Sequence, residues 1–120
     1  MDVTARVAEV VKRSGVANGL AVVFTTHTTT GLFLNEHEGG LEDDFERVLA
    51  GLVPPAAGYR HDRVDDNAAS HIQSALLGTS LALPVTDGEL DLGVWQSVFL
   101  AERDGPRRRT LVVKVMGDPR

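Results

Sequence analysis

The last third of the chain constrains the fold most, because its apolar residues alternate in the manner of an antiparallel β-meander. Apolar side chains occupy every second position in residues 81–85 and again in residues 111–115, and residues 93–102 form another apolar stretch. Asp-Gly dipeptides at 87–88 and 104–105 separate these stretches, and Asp-Gly favours tight hairpin turns. We therefore expect three consecutive antiparallel strands.

The first two-thirds of the chain combine helices with an apolar strand. The spacing of the valines predicts a helix over residues 4–14, and one apolar face predicts another over residues 41–51. Residues 20–26 are apolar at successive positions, which is typical of a strand buried on both faces. A third helix is expected to end at Leu77, before Gly78. Because helices and hairpins interleave without regular βαβ alternation, the sequence predicts an α+β fold with a mainly antiparallel sheet.

Composition limits the classes of partner. The 120 residues fit one domain, and the net charge of −5 provides no basic field for nucleic acid or an anionic membrane. Cysteine is absent, which excludes disulfides, cysteine-ligated zinc and thiol catalysis. No apolar run approaches the roughly 20 residues of a membrane-spanning helix, and the N-terminus lacks the order of a signal peptide. These features predict a cytoplasmic protein that binds neither nucleic acid nor membranes.

Residues 58–71 carry the densest group of polar side chains that could perform chemistry. His61 and His71 lie ten residues apart, with three aspartates and one asparagine between them. His61 is expected in a loop, whereas His71 is expected on the third helix, which Asp66 can cap with its carboxylate.

The third helix is predicted to place a polar stripe beside an apolar stripe. Asn67, His71 and Ser74 follow each other at helical spacing and share one face. The neighbouring stripe is expected to face the core and comprises Ala68, Ile72, Ala75 and Leu76. A polar row beside a buried row suggests a site at the rim of the core.

Three of the four histidines, His27, His61 and His71, are candidates for a metal site. Each lies where apolar sequence gives way to polar sequence, and three neutral imidazoles would leave an open coordination position for water or substrate. Each histidine alone is also typical of a solvated or hydrogen-bonded side chain. Because the spacing matches no standard zinc pattern, both interpretations stay open. His37, between two glutamates, is expected to be exposed.

Two further polar residues lie next to apolar strands. Glu36 can act as a general base if it is partly desolvated near the histidines, or it can belong to an ordinary strand-end turn. Gln96 alternates with Val94 and Val98, so its face of the strand is predicted to be buried, where an amide needs partners. Trp95 is expected in the core.

Residues 107–109 are three consecutive arginines after a predicted turn. Such a run is typical of a solvated turn, or of a salt bridge to an acid such as Glu102. Alternatively, in a strand, at most two of these guanidinium groups face the same side and can bind one phosphate.

Taken together, the motifs resemble those of the YjbQ family over residues 4–117. The shared motifs are His27-Thr-Thr, Leu34-Asn-Glu36, Val53-Pro54, Tyr59-x-His61, Asp66-Asn67 with His71-Ile72, residues 77–85, Gly88, residues 92–96, Leu100-x-Glu102 and residues 107–109.

The resemblance implies a homotrimer with sites near subunit boundaries, built from an α+β fold with about three helices and a β-sandwich or barrel-like core. It implies that His27, His61 and His71 bind a divalent metal, with zinc expected and magnesium an alternative for pyrophosphate chemistry. The family label, secondary thiamine-phosphate synthase, implies that a pyrimidine pyrophosphate is joined to a thiazole phosphate with release of pyrophosphate.

The resemblance also assigns roles to individual residues. The catalytic residues that it implies are Glu36, His61 and Gln96. The residues that it implies for binding the phosphorylated small molecule are Thr28, Asn67, Arg107 and Arg109.

The chain departs from the family pattern at two places. Members of the family usually carry one or two strands before the helix that starts here at Thr4, so residues 1–120 are expected to form a single YjbQ-like domain without those strands. Many members have Asp-Pro at the position of Gly39-Gly40, which follows Glu36.

Two functions other than an enzyme stay open. A non-catalytic module would hold a phosphorylated metabolite or anion in the same pocket without turnover. A purely structural cluster of polar residues would only join subunits.

Overall fold

The computed structural model describes residues 1–119 as helices and antiparallel strands. The helices are α1 (Thr4–Ser14), α2 (Gly39–Leu52) and α3 (Ala68–Leu77), with a short 3₁₀ helix at Arg60–Arg63. The strands are β1 (Val16–Thr25), β2 (Thr30–Asn35), β3 (Ser80–Thr86), β4 (Glu89–Leu90), β5 (Ser97–Glu102) and β6 (Leu111–Pro119).

The strands form two antiparallel sheets. One sheet has four strands in the order β4-β3-β1-β6, and the other pairs β2 with β5. The predicted α+β fold with mainly antiparallel strands and three helices is therefore confirmed. The predicted meander in the last third is wrong, because β3 and β6 both pair with β1 whereas β5 pairs with β2. The two sheets do not close into a barrel within the described residues.

The core lies between α1 and the four-stranded sheet. Val7 and Val11 of α1 are almost fully buried and belong to the same apolar cluster as Ala21, Val23 and Leu83 of the sheet. The valine spacing correctly predicted this helix, and the burial of each valine stabilises the fold by roughly 1.5–3 kcal/mol.

The outer face of the four-stranded sheet remains apolar and exposed. Leu20 and Phe24 of β1 and Val112 and Met116 of β6 are each 40–48% exposed, and the register pairs Leu20 with Met116 and Phe24 with Val112. The prediction that residues 20–26 are buried on both faces is therefore wrong for this face. The chain is also elongated, because its radius of gyration is 16.1 Å, whereas a compact domain of this length has about 14 Å.

Residues before α1 extend the smaller sheet. The amide of Val3 donates to the Val98 carbonyl, and the amide of Leu100 donates to the Met1 carbonyl. Asp2 accepts hydrogen bonds from the Thr4 hydroxyl and amide, and these bonds, mainly the one from the hydroxyl, lower the pKa of Asp2 to about 2. These contacts attach the beginning of α1 to β5.

None of the helices in residues 1–119 has both the length and the apolar content that a bilayer-spanning helix requires.

Candidate functional site

The pairing of β2 with β5 places candidate residues at two opposite ends of one ribbon. Thr30 pairs with Glu102 at one end, and Asn35 pairs with Ser97 at the other. The two ends are five residue steps apart, or about 17 Å at the usual strand rise. A separate cleft lies at each end.

The first cleft, here called the histidine cleft, has a volume of about 370 Å³. Three chain segments form it: the turn between β1 and β2, the start of α3 with the loop before it, and the segment between β5 and β6. The residues that line it are Thr26, His27, Thr28, Thr29, Asp65, Asn67, His71, Asp104, Arg107 and Arg109. It therefore contains six of the nine site residues that the sequence and the resemblance suggest.

The turn that carries His27 is fixed by hydroxyl and guanidinium contacts. The buried hydroxyls of Thr25 and Thr30 lie 2.6 Å apart and close the turn. Arg109 donates to the Thr29 hydroxyl at 2.8 Å, and the Arg103 amide donates to the Thr29 carbonyl. The threonines that follow β1 thus form a rigid turn instead of the predicted strand extension.

His27 already uses one ring nitrogen. Its Nε2 accepts a hydrogen bond from the backbone amide of Thr110 at 3.0 Å. Because a neutral imidazole has one acceptor nitrogen, the other nitrogen, Nδ1, carries the proton. His27 is therefore occupied as an acceptor in this conformation.

The start of α3 differs from the prediction that Asp66 caps it. Asn67 is the N-cap residue, and its side chain makes no capping bond. The carboxylate of Asp62 accepts from the Ala68 amide instead, at 3.0 Å. This happens because the 3₁₀ helix turns Asp62 back toward the first turn of α3.

Asn67 connects the histidine loop to the β5–β6 segment. Its amide nitrogen donates to Asp104 at 2.8 Å, so its oxygen is the acceptor for Nε2 of His61 at 3.0 Å. Asn67 is buried, and both of its polar atoms are thus satisfied. This bond leaves Nδ1 of a neutral His61 as its acceptor nitrogen.

His61 and His71 lie next to each other. Their ring centroids are 4.8 Å apart in an edge-to-face arrangement. His71 is half-buried and lines the histidine cleft, whereas the exposed His61 lies outside its lining. His71 is the one of these histidines whose ring nitrogens have no hydrogen-bond partner in the described part of the chain.

The prediction for the apolar face of α3 is wrong in part. Ala68 is buried, but Ile72 is 40% and Leu76 is 65% exposed. The buried positions further along the helix are polar, since Gln73 donates to the Val53 carbonyl and accepts from the guanidinium of Arg103. Hydrogen bonds, more than apolar packing, thus position this end of α3.

The three consecutive arginines have three different environments. Arg109 is almost buried and forms a two-pronged ion pair with Glu102, as the salt-bridge interpretation predicted. Arg107 is half-exposed and binds the carboxylate and carbonyl of Asp104. Arg108 is exposed and has no ion-pair partner among residues 1–119. They precede β6 and do not form part of a strand.

Positive and negative charges balance in the histidine cleft. Arg107 and Arg109 contribute two positive charges, and Asp65 and Asp104 contribute two negative charges. Binding of an anion here would therefore depend on positioned donors more than on a net positive field.

Glu36 and Gln96 lie in the second cleft, at the other end of the β2–β5 ribbon. This cleft has a volume of about 330 Å³, and Trp95 lines it together with these two residues. Gln96 is exposed and accepts a hydrogen bond from the Gly93 amide, and Trp95 is 72% exposed. The predictions of a buried face for Gln96 and of a core position for Trp95 are therefore wrong, because residues 93–96 form a turn.

The three candidate metal ligands do not fit a three-imidazole centre within one chain. Residues 1–119 contain no group of three or more histidine or acidic side chains arranged to hold a metal ion. His61 and His71 are adjacent, but the acceptor nitrogen of His27 is taken by Thr110.

Asp104 and Arg103 hold other residues of the site in place but were not among the sequence candidates. Asp104 holds both Asn67 and Arg107, and Arg103 joins Gln73 to Glu46 of α2. Asp104 belongs to an Asp-Gly pair, which we interpreted only as a turn. No sequence signal distinguishes Arg103 from a solvated arginine.

The ion pair between Glu102 and Arg109 makes stability depend on pH. The Arg109 guanidinium, helped by the Asp104 amide, holds the pKa of Glu102 below its ordinary value of 4.5. A carboxylate whose pKa is lowered by folding stabilises the folded protein at pH values above its unfolded-state pKa. This stabilisation is lost progressively as the pH falls below 4.5. We expect Glu102→Gln to lower the free energy of unfolding at pH 7 by about 1–3 kcal/mol, and the difference from wild type to shrink in acid, as measured by urea unfolding.

Glu9→Gln is the matched control for this substitution. Glu9 forms an exposed pair with Arg13 at 3.7 Å, and such surface pairs contribute at most about 1 kcal/mol. A difference between wild type and Glu102→Gln that stays constant down to pH 3 would contradict the role of the Glu102 charge.

Comparison with known proteins identifies the family. The family model described as "UPF0047 protein YjbQ-like" matches residues 1–118. A UPF0047 protein from Methanothermobacter thermautotrophicus is 47% identical over 99% of this chain and 83% of its own length. A UPF0047 protein from Archaeoglobus fulgidus is 44% identical over 97% of this chain and 90% of its own length.

Solved structures show the same fold. A YbjQ-like protein of unknown function from Sulfolobus solfataricus superposes with a TM-score of 0.96 at 37% identity, covering 98% of this chain and 86% of that one. A hypothetical protein from Aeropyrum pernix superposes with a TM-score of 0.94 at 38% identity, covering 98% and 88%. The chain therefore belongs to the UPF0047, or YjbQ-like, family.

Proposed function

We propose that this protein is an enzyme that acts on a phosphorylated small molecule in the histidine cleft. The supporting observation is that one cleft collects an imidazole, threonine hydroxyls and two guanidinium groups from three chain segments. Phosphate oxygens accept hydrogen bonds from all of these groups. The family resemblance implies synthesis of thiamine phosphate with release of pyrophosphate. The substrates and products of that reaction carry phosphate groups.

Each residue of the cleft has a distinct part in this proposal. Arg107 and Thr28 bind the phosphate, and Asn67 with Asp104 holds Arg107 in position. When no metal is bound, His71 transfers a proton, since its ring nitrogens have no hydrogen-bond partner among the described residues. Arg109 is already bound to Glu102 and Thr29, so it shapes the cleft, and Glu102 compensates its charge.

A binding module without turnover is the second candidate. The observation that favours it is the separation of Glu36 and Gln96 from the histidine cleft within one chain. An assay for thiamine phosphate formed from the pyrimidine pyrophosphate and the thiazole phosphate distinguishes the enzyme from the binding module. A binding module holds the substrates but forms no product.

Anion binding is tested by measuring the affinity for inorganic pyrophosphate in variants of two adjacent arginines. Arg107 lines the histidine cleft, whereas Arg108 does not, and both are exposed and carry the same charge. Because Arg107→Gln removes a charge-assisted hydrogen bond, we expect it to weaken pyrophosphate binding about five- to tenfold. Isothermal titration calorimetry at constant ionic strength measures this change.

Arg108→Gln is the control in that experiment. We expect it to change the dissociation constant for pyrophosphate less than about twofold, because an exposed, unpaired charge attracts the anion only through an electrostatic field that salt screens. Equal weakening by the two substitutions would show non-specific attraction. Absence of any pyrophosphate binding to the wild type would remove this function.

Zinc binding is proposed at the pair His61 and His71. These imidazoles are adjacent, and imidazole nitrogen suits zinc, whereas magnesium prefers oxygen ligands. We expect His71→Ala to abolish zinc binding and His27→Ala to leave it unchanged, because His27 is held by Thr110. Zinc titration followed by metal analysis of the desalted protein measures the bound ion.

The His27→Ala variant decides between two zinc sites. If it loses zinc as completely as His71→Ala, the three-histidine centre that the resemblance implies forms after rearrangement of His27. If the wild type binds no zinc, the metal proposal is wrong.

A homotrimer, the assembly that the family resemblance implies, is proposed with the exposed outer sheet face as its interface. Four large apolar side chains lie on that face, and the chain is elongated for its length. We expect sedimentation equilibrium to give three times the mass of one chain, and Phe24→Asp to give monomers, because an unpaired charge in an apolar interface is costly. The control is Val64→Asp, at an 86% exposed loop position, which should leave the mass unchanged. Equal dissociation of the Phe24→Asp and Val64→Asp variants would contradict this interface.

A further inference from the structure

The second cleft brings a carboxylate and an exposed indole together at one end of the β2–β5 ribbon. The last pair of the ladder at that end is Asn35 with Ser97. Glu36 and Gln96 are therefore the next residues on the two segments, and both line the cleft together with Trp95. The reaction proposed for the histidine cleft uses none of these three side chains.

Two hydrogen bonds hold Trp95 at the tip of a tight turn. The backbone amide of Gln96 donates to the Gly93 carbonyl at 3.0 Å, and the Gly93 amide donates to the side-chain oxygen of Gln96 at 2.8 Å. A bond between the first and fourth residues of a turn leaves the two central residues at its tip. Those residues are Val94 and Trp95, and both are mostly exposed.

The exposed indole gives the cleft a surface that attracts cations. Tryptophan is usually buried to a large extent, whereas here the backbone of the turn presents the ring to solvent. The face of an aromatic ring carries partial negative charge, and the face of tryptophan attracts cations more strongly than that of tyrosine or phenylalanine. A ring in a fixed position loses little conformational freedom when a ligand binds.

Glu36 adds a negative charge that the lining does not neutralise. Its side chain is half-buried and has no ion-pair or hydrogen-bond partner within residues 1–119. The other four lining residues are uncharged: Leu34, Asn35, Trp95 and Gln96. Because partial burial removes water from a carboxylate, an unpaired carboxylate at such a position is stabilised by a bound cation.

We propose that the second cleft binds a small organic cation that carries a quaternary ammonium group. The ring face of Trp95 contacts the methylated nitrogen, and Glu36 neutralises its charge. A quaternary ammonium group suits an aromatic face, whereas calcium and magnesium require about six or more oxygen ligands, which the cleft does not provide. The site lies at the opposite end of the ribbon from the histidine cleft, so it does not depend on the function proposed there.

The test uses choline, whose trimethylammonium group has a neutral counterpart of the same shape in 3,3-dimethyl-1-butanol. The chain has one tryptophan, so that the fluorescence of Trp95 reports this cleft directly. Choline chloride replaces sodium chloride at constant ionic strength, which keeps the screening of charges constant. We expect a saturable change in emission with choline. The neutral alcohol should bind at least about fivefold more weakly, as expected for loss of one charge interaction at about 4 Å in water.

Variants are compared by saturation-transfer NMR on the methyl protons of choline, because this signal does not require the indole. Trp95→Leu keeps an apolar side chain without the ring and should weaken choline binding about two- to fivefold. Glu36→Gln should weaken it about fivefold by removing the charge. Glu89→Gln is the matched control, because Glu89 is exposed and does not line the cleft, and it should change the affinity less than about twofold.

Five results would overturn the proposal. Absence of a response to choline would leave the cleft without this ligand, and equal binding of choline and the neutral alcohol would show that only apolar contact acts. Equal weakening by Glu36→Gln and Glu89→Gln would show attraction to the net charge of the chain. Loss of choline binding in His71→Ala would place the cation in the histidine cleft. Emission that shifts with protein concentration but not with choline would assign Trp95 to a contact between subunits.

Discussion

The register between β2 and β5 joins Thr30 to Glu102 at one end and Asn35 to Ser97 at the other, and the positions of the candidate groups follow from it. At the first end, the threonine turn meets the arginine segment, so that Arg109 reaches both Glu102 and Thr29. At the second end, Glu36 meets the turn that carries Gln96. A shift by one residue would exchange the faces of both strands and separate these groups.

The positions of most strands and helices in the chain were predictable because local signals and tertiary packing agree. The pairing of the last strands was not, because β3 and β6 pair with β1, far away in sequence, instead of forming a meander with β5. Val7 and Val11 of α1 lie at helical spacing and are buried, and Gly15 ends the helix in the left-handed conformation that glycine favours. Gln96 shows the opposite case. Its sequence neighbours alternate as in a strand, but its own side chain accepts from the Gly93 amide and stabilises a turn. Such local side-chain bonds compete with strand pairing, and alternation alone does not reveal them.

The contents of the candidate site were predictable by residue type but not by partner. The segment with His61 and His71 was recognisable from its polar density. The partners that fix it are far away in sequence: Asp104 is 37 residues from Asn67, and Thr110 is 83 residues from His27. Spacing between histidines carries no information about these contacts, and yet the bond to Thr110 decides whether His27 has a free acceptor nitrogen. The metal prediction therefore depended on a contact that the sequence does not display.

The three arginines at 107–109 can act on a bound anion in physically different ways. In the histidine cleft, two arginines face two aspartates, so the net charge is near zero and an anion must exchange its water for donors in fixed positions. Arg108 is exposed and has no ion-pair partner among residues 1–119, so only its charge acts on an anion. Fixed donors select ligand geometry, whereas net charge attracts any anion and is screened by salt. Within this run, Arg109 therefore contributes shape because Glu102 holds it, Arg107 contributes a positioned donor, and Arg108 contributes only charge.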